Sequence, residues 1–260
     1  MNTAEIQIEI GKYKWYHCIE VGGCMTPGIE GFMPVCHWAL NLLKKYDLNG
    51  KNVLDVGARD CFFSLNIERM GAAEIDAIDN DLSAGAKNFL LPFFNSKTNL
   101  QHLSLYDLPG SKLYDAIVFF GVLYHLRYPF RGLRTLVDNL KIGGTLFIEG
   151  GFLSEPSLQH LELLHCPVDT SPYDPSSCTF FNPLALDTTL RHMGCEKIEG
   201  MQWYGAGHPV DRGFAVYRKV RDQYYDYWEP GGKHTYHTRA AHSREDFQPT
   251  TAAPYKSAAS

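Results

Sequence analysis

From residue 51 to about residue 150, short apolar runs alternate with stretches whose apolar residues recur at helical spacing. NVLDVG, at 52–57, reads as a strand ending in a glycine turn. FFSLNIERMG follows, with Phe63, Ile67 and Met70 on one helical face. EIDAID precedes a helix ending near Phe94, and LQHLSL leads into YDL. YDAIVFFG is continuously apolar, which predicts a central parallel strand covered on both faces. VLYHLRYPFRGLRTLVDNL reads as a further helical region, and KIGGTLFIEG as a glycine turn with a fifth strand. Strands alternating with helices predict a mostly parallel α/β sheet of Rossmann-like type.

Residues 150–180 break this rhythm. They are rich in Pro and Ser, with one short helix expected, and their aromatic content predicts a lid rather than a disordered loop. NPLALDTTLRHMG returns to helix, with Asn182 as N-cap and Gly194 just beyond the end. EKIEGMQWYG and RGFAVYRKV predict a closing antiparallel strand pair. The expected organisation is an N-terminal cap segment at 1–50, a nucleotide-binding domain at 51–220 and a tail at 221–260. The tail is expected to be mostly disordered, or ordered only by a partner.

The bulk composition narrows the function. At 260 residues and 45% hydrophobic, the chain can bury a full core. A net charge of −5 provides no overall basic field to draw it onto nucleic acid. The acidic, alternating start MNTAEIQIEI is unlike a signal peptide, and no apolar run approaches the ~18 residues of a membrane span. Seven scattered Cys without a Cys-x-x-Cys pair fit a reducing compartment, so a cytoplasmic protein is expected. His17, Cys18, Cys24, Cys36 and His37 fit no compact zinc template, and no metal is expected.

The first strand ends at Asp55 and Gly57, and the second at Asp79. In an open α/β sheet the ligand sits beyond these strand ends, where the strand order reverses. An acid at the end of the second strand suits two ribose hydroxyls, because a carboxylate accepts from each. NAD proteins share that acid but need Gly-x-Gly-x-x-Gly for the pyrophosphate. Here the run is Gly57-Ala58-Arg59-Asp60-Cys61, and Asp60 would bring a carboxylate towards phosphates. A ligand with a cationic end and no phosphate fits better, and S-adenosylmethionine is one. Asp107, after the third strand, can accept from an adenine amino group. FFGVLYHL, after the fourth strand, lies where methyl donor and acceptor would meet.

Taken together, VLDVGARDCFFSL, AIDND, YDAIVFFGVLYHLRYPFRGL and LKIGGTLFIEG resemble the class I S-adenosylmethionine methyltransferases. Within them, VLYHLRYPF and WYHCIEVGGCMTPG are similar to the branch of tRNA wobble-uridine carboxymethyltransferases and related small-molecule methyltransferases. The resemblance covers roughly residues 12–219 and implies cofactor contacts at Gly57, Asp79, Phe120, Tyr124 and Arg212. Asp55, Asn80 and Asp107 complete the candidate cofactor set. Cys61 replaces the loop's second glycine, and a helix start with negative φ would accommodate its β-carbon. Counting back from Gly57, the tryptophan and lysine of the carboxymethyl enzymes fall on Phe32 and His37. A neutral His would pair only weakly with the extra carboxylate of carboxy-S-adenosylmethionine.

His125 is the candidate general base, with a backbone-shaping His as the alternative, and Tyr124 is placed beside it. Arg127, Arg131 and Arg134, spaced four and three apart, would share a helix face, read as solvated rather than as an RNA contact. Trp15, Tyr16, Phe32 and Trp38 are expected to pack as a cap over the cofactor cleft. The expected activity is methyl transfer to an oxygen or nitrogen of a small molecule, with no membrane partner. Modification of a tRNA wobble uridine, by methyl or carboxymethyl transfer, is the alternative. A protein that binds S-adenosylmethionine without catalysis is a second alternative, and an NAD oxidoreductase is the rival enzyme.

Overall fold

A computed structural model describes residues 1–154, 161–167, 170–171, 173–205 and 209–222, together with strand residues 227–228 and 234–235. The chain divides into two compact units, Met1–Asp222 and Gln223–Ser260. In the second, Tyr227–Trp228 pairs antiparallel with His234–Thr235, and the rest of the expected 221–260 tail beyond Asp222 lies outside the described residues.

The first unit opens with helix α1 (Thr3–Ile10), whose N-terminus is closed by a reciprocal pair: the Asn2 side chain accepts from the Glu5 N–H, and the Glu5 carboxylate accepts from the Asn2 N–H. A short hairpin of β1 (Glu20–Val21) and β2 (Cys24–Met25) follows, then α2 (Met33–Leu43). The alternating segment comprises β3 (Asn52–Val56), α3 (Phe62–Arg69), β4 (Glu74–Asp79), a π-turn at Ala86–Leu90 running into α4 (Leu91–Phe93), and β5 (Asn99–His102). After these come β6 (Tyr114–Phe120), α5 (Pro129–Asp138) and β7 (Leu140–Leu153). β8 (Leu163–His165) and β9 (Thr179–Phe181) form a separate antiparallel pair. The expected short helix of the 150–180 segment is absent from its described part, which carries β8 instead. Helix α6 (Pro183–His192) leads to β10 (Cys195–Tyr204) and β11 (Val210–Lys219).

Seven strands form one sheet in the order β10-β11-β7-β6-β3-β4-β5. β3 to β7 run parallel, and β11 and β10 close the sheet antiparallel, as the strand pattern predicts. The order reverses between β3 and β6, which opens a crevice beyond their C-terminal ends. Period-two alternation explains the continuous apolar reading of β6. Ile117 and Phe119 face a core shared with Leu133, Leu136 and Leu186, while Ala116, Val118 and Phe120 face one shared with Leu43, Ile67 and Phe214. Asn182 caps α6 by accepting from the Ala185 N–H at 2.8 Å, and Gly194 beyond its end has φ +91°.

One helical expectation fails. VLYHLRYPFRGLRTLVDNL is a 3-10 turn at Leu123–His125, a break, and then α5 from Pro129. The proline ring crowds the residue before it out of the helical region, and Tyr128 sits at φ −121°, ψ 64°. Arg127 therefore precedes the helix and shares no helix face with Arg131 and Arg134. None of the seven cysteines is in a disulfide. No helix among the described residues is long and apolar enough to cross a membrane.

Candidate active site

A cleft of about 1040 Å³ lies beyond the C-terminal ends of β3, β4 and β6. Its floor begins at Gly57, where the chain leaves β3 at φ +83° and a β-carbon would come within 2.3 Å of Val122 Cγ2. Only glycine allows this left-handed turn with the backbone open to a ligand. Arg59 and Cys61 also have positive φ, 42° and 61°. Cys61 thus does not start α3 with negative φ, as the sequence leads one to expect. It occupies the N-cap position left-handed, at a cost of about 1–2 kcal/mol. Its side chain turns away from the cleft into a buried cluster with Leu65, Ala86 and Leu91.

The carboxylates around this loop separate into two groups. Asp79 and Asn80, at the end of β4, line the cleft. Asp79 accepts from the Arg59 N–H at 3.0 Å and the Asp81 N–H at 2.7 Å, and burial raises its pKa despite those bonds. Asp55 lies behind the loop, buried, accepting from Ser64 Oγ at 2.5 Å. Burial pushes its pKa up to about 7. Asp60 also faces inward, accepting from the Tyr16 N–H at 2.5 Å and the His17 N–H at 2.8 Å. Burial alone would raise its carboxyl, but the His17 ring and these backbone donors hold it below the usual range. Its charge serves to fasten the N-terminal segment to the loop after β3. Asp107 is exposed at the end of the turn Leu105–Asp107 and does not line the cleft, whereas its neighbour Tyr106 does.

The other end of the cleft gathers residues from distant parts of the chain. Phe120 closes β6, and Tyr124 and His125 follow on the 3-10 turn. Arg212, on β11, forks onto Glu149 of β7 with Nε–Oε1 at 2.7 Å and Nη2–Oε2 at 2.6 Å. Its Nη1 donates to the Tyr124 hydroxyl at 2.7 Å and the Tyr173 hydroxyl at 3.3 Å. Its guanidinium also lies over the rings of Phe32 and Tyr124, at 5.2 and 5.1 Å. The carboxylate of Glu149 holds the buried Arg212 firmly protonated against the effect of burial, and burial raises the Tyr124 phenol. His125 is lowered chiefly by burial, with Arg212 adding to this, while the Ser176 backbone and the Asp174 carboxylate oppose it. Its ring is therefore neutral near pH 7 and able to accept a proton.

Of the expected aromatic cap, Tyr16 and Phe32 line the cleft. Trp15 instead donates to the Ile10 carbonyl, and Trp38 packs on Tyr204 and Phe214. His37 is exposed against the edge of Phe62 and does not line the cleft. Its neighbour Cys36 does, with burial pushing its thiol to about 12. Arg127 stands at the cleft, Arg131 lies over the Tyr106 ring at 5.3 Å, and Arg134 meets Asp138 at 3.5 Å. Among the described residues, no group of three or more His, Cys, Asp or Glu is placed to hold a metal ion.

Among the cleft residues that the sequence reading missed are Glu149, Tyr173, Asp174 and Ser176. Glu149 left a usable signal, as the one charge in the apolar run TLFIEG. The other three sit in the aperiodic 150–180 segment, where no pattern marks them.

The donor set fits a nucleoside without phosphate. Gly57 leaves backbone open to it, and Asp79 supplies a carboxylate suited to a diol. Two of the cleft's arginines are matched to acids, Arg59 to Asp81 at 2.6 Å and Arg212 to Glu149.

Comparison with known proteins agrees with this geometry. The family described as "Methyltransferase domain" matches residues 32–199. A protein of Campylobacter hominis named tRNA U34 carboxymethyltransferase is 33% identical over 117 residues, covering 44% of this chain and 41% of that relative. One of the same name from Helicobacter pylori is 28% identical, covering 58% and 59%. The chain thus spans less than two thirds of the length of these curated relatives. Among solved structures, the N-terminal domain of EvdMO1 with SAH and D-fucose superposes with TM-score 0.64 at 14% identity, covering 84% of this chain and 97% of that one. A 1,6-didemethyltoxoflavin-N1-methyltransferase from Burkholderia thailandensis, bound to S-adenosylhomocysteine, superposes with TM-score 0.56 at 15% identity, covering 70% and 77%.

Proposed function

The chain belongs to the methyltransferase-domain family and has the class I methyltransferase fold, and we propose that it transfers a methyl group from S-adenosylmethionine to an oxygen or nitrogen of a small molecule. One observation carries this reading. A glycine cradle and a diol-accepting carboxylate, Gly57 and Asp79, share a cleft with a walled pocket built from Tyr124, His125, Tyr173 and Arg212. When bound, the cofactor would supply a methyl group on a sulfonium sulfur, which leaves with the carbon–sulfur electron pair.

This chain's own residues would do the rest. Gly57, Asp79 and Asn80 would hold the nucleoside, with Phe120 against it. Tyr16, pinned through Asp60, and Phe32, packed edge-on against it, would exclude water from above. Each pocket phenol accepts from Arg212, so its own hydroxyl proton is available to an acceptor oxygen or nitrogen. His125 would take the acceptor's proton. Arg59, Arg131, Arg134 and Arg212 each engage protein groups, which argues against a broad surface for a nucleic-acid backbone.

A second reading, tRNA wobble-uridine modification, is favoured by the names of the curated relatives and by Arg127 at the cleft. Because His37 does not line the cleft, its identity bears less on carboxymethyl transfer than sequence counting implies. Native mass spectrometry of the purified protein tests the choice. Carried S-adenosylmethionine or its demethylated product is the expected result. A carried species heavier by one CO₂, or tRNA binding that weakens steeply with salt, would favour the second reading. Retained cofactor binding with no turnover across a broad acceptor panel would favour a non-catalytic binding protein.

A further inference from the structure

Residues 173–179 form a fixed wall beside the 3-10 turn that carries His125. The Cys178 N–H donates to the Tyr124 carbonyl at 2.8 Å, and Thr179 Oγ1 donates to the Leu126 carbonyl at 2.8 Å. Cys178 Sγ reaches the His125 carbonyl itself at 3.5 Å. The backbone on both sides of the histidine is therefore fastened to this wall.

Within the wall, Asp174 organises a tight turn. It accepts from the Ser176 N–H at 2.8 Å, from Ser176 Oγ at 2.5 Å, and from Ser177 Oγ. Burial would raise its carboxyl, but these bonds, with His125 nearby, hold it below the usual range, so it is an acceptor only. The single hydroxyl proton of Ser176 is thereby committed to Asp174. What Ser176 Oγ presents to His125 Nδ1, 3.3 Å away, is a lone pair. Two acceptors cannot share a hydrogen bond without a proton, so for this contact to be a hydrogen bond the ring carries its proton on Nδ1.

We propose that Asp174 and Ser176 are positioning residues that hold His125 in the Nδ1–H tautomer, leaving the Nε2 lone pair for the acceptor's proton. This rests on the methyltransferase reading above. In the proton step, the acceptor's O–H or N–H bond gives its proton to Nε2, forming an imidazolium. The Nδ1–H still donates to Ser176 Oγ, and the Asp174 carboxylate lies beyond it. The imidazolium then returns the proton to solvent. Opposing charge comes from Arg212, already forked onto Glu149, while the Tyr124 ring covers one side of the imidazole at 4.2 Å and Tyr173 packs against Tyr124. Asp174 has no hydrogen bond to the imidazole and acts through Ser176. This differs from a nucleophilic serine, whose proton would have to pass to the histidine.

Long-range ¹H–¹⁵N NMR of the His125 ring in the full-length protein tests the proposal without needing an acceptor. In the wild type, Nδ1 should be protonated and Nε2 bare. Ser176→Ala should shift the ring towards a mixture with the Nε2–H form, and Ser176→Thr, which keeps the hydroxyl, should restore the wild-type pattern. Asp174→Asn should lower the His125 pKa further, through loss of the nearby negative charge. An Nε2–H tautomer in the wild type, or a Ser176→Ala spectrum identical to it, would overturn the proposal. Calorimetry with S-adenosylhomocysteine on the same wild-type sample separates the two ideas. Binding with an unaltered tautomer in Ser176→Ala rejects the positioning role alone. An ordered tautomer without binding rejects the methyltransferase reading instead.

Discussion

Arg212 and Glu149 form a buried, two-pronged ion pair between adjacent antiparallel strands, at 2.7 and 2.6 Å, with side-chain exposures of only 7% and 3%. The pair sets one wall of the cleft, and Arg212 donates to both tyrosine hydroxyls there. Breaking one side leaves the other charge buried and alone. Glu149→Ala should therefore lose about 3–5 kcal/mol of unfolding free energy in urea. Replacing both residues with apolar ones of similar size should recover much of that loss while abolishing the pocket's hydrogen bonds. A single Glu149→Ala variant as stable as wild type would contradict the pairing.

Asp79→Ala should weaken S-adenosylmethionine binding by about 1.5–3 kcal/mol, the range for hydrogen bonds to a charged group. Isothermal calorimetry at constant salt measures it. Asp55→Asn should have a smaller effect, because that carboxyl lies behind the loop and is matched to Ser64. Equal losses in the two variants would count against the assignment of Asp79 to the ligand.

Gly57→Ala forces a β-carbon onto Val122 and into a left-handed conformation. The conformation alone costs about 1–2 kcal/mol. Trimming the neighbour, as in Gly57→Ala with Val122→Ala, should relieve the clash but not the conformational cost. Thermal unfolding of both variants separates the two contributions. A fully restored midpoint in the double variant would mean that the backbone at residue 57 has moved.

Asp55 gives stability a pH dependence of definite sign. Its carboxyl titrates near 3.8 when unfolded and about 7 when folded, because burial disfavours the charge. Between those values the folded chain holds more protons than the unfolded one, so stability falls as pH rises from about 4 to about 7. Asp55→Asn cannot ionise and should lack this component. Denaturant unfolding should therefore show the variant gaining on wild type by a few kcal/mol across that window. A gap that stays constant with pH would refute the shifted carboxyl.

Asp60→Ala should release the segment carrying Tyr16 and His17, since it removes the acceptor for both backbone N–H groups. Hydrogen exchange at those two amides should accelerate relative to wild type, with the α5 amides unchanged. Protection unchanged at Tyr16 and His17 would show that other contacts hold the segment.

The sequence by itself determined the alternation of strands and helices, the doubly buried β6, the closing strand pair, the cap at Asn182, and the turn at Gly57 followed by Asp79. These are local signals, carried by periodicity, by a residue's backbone freedom and by short spacings. Only the tertiary structure decided which way each polar side chain faces. Asp55, Asp60 and Asp79 lie on one strand-end surface in the sequence pattern. Yet Asp55 turns to Ser64, Asp60 to a backbone 44 positions away, and only Asp79 meets the cleft. Arg212 finds Glu149 across 63 positions, and Ser176 finds His125 across 51. A carboxylate or hydroxyl takes whichever donor or acceptor folding brings within reach, because an unmatched polar group is costly to bury. That choice depends on residues far away in the chain, so no local period records it.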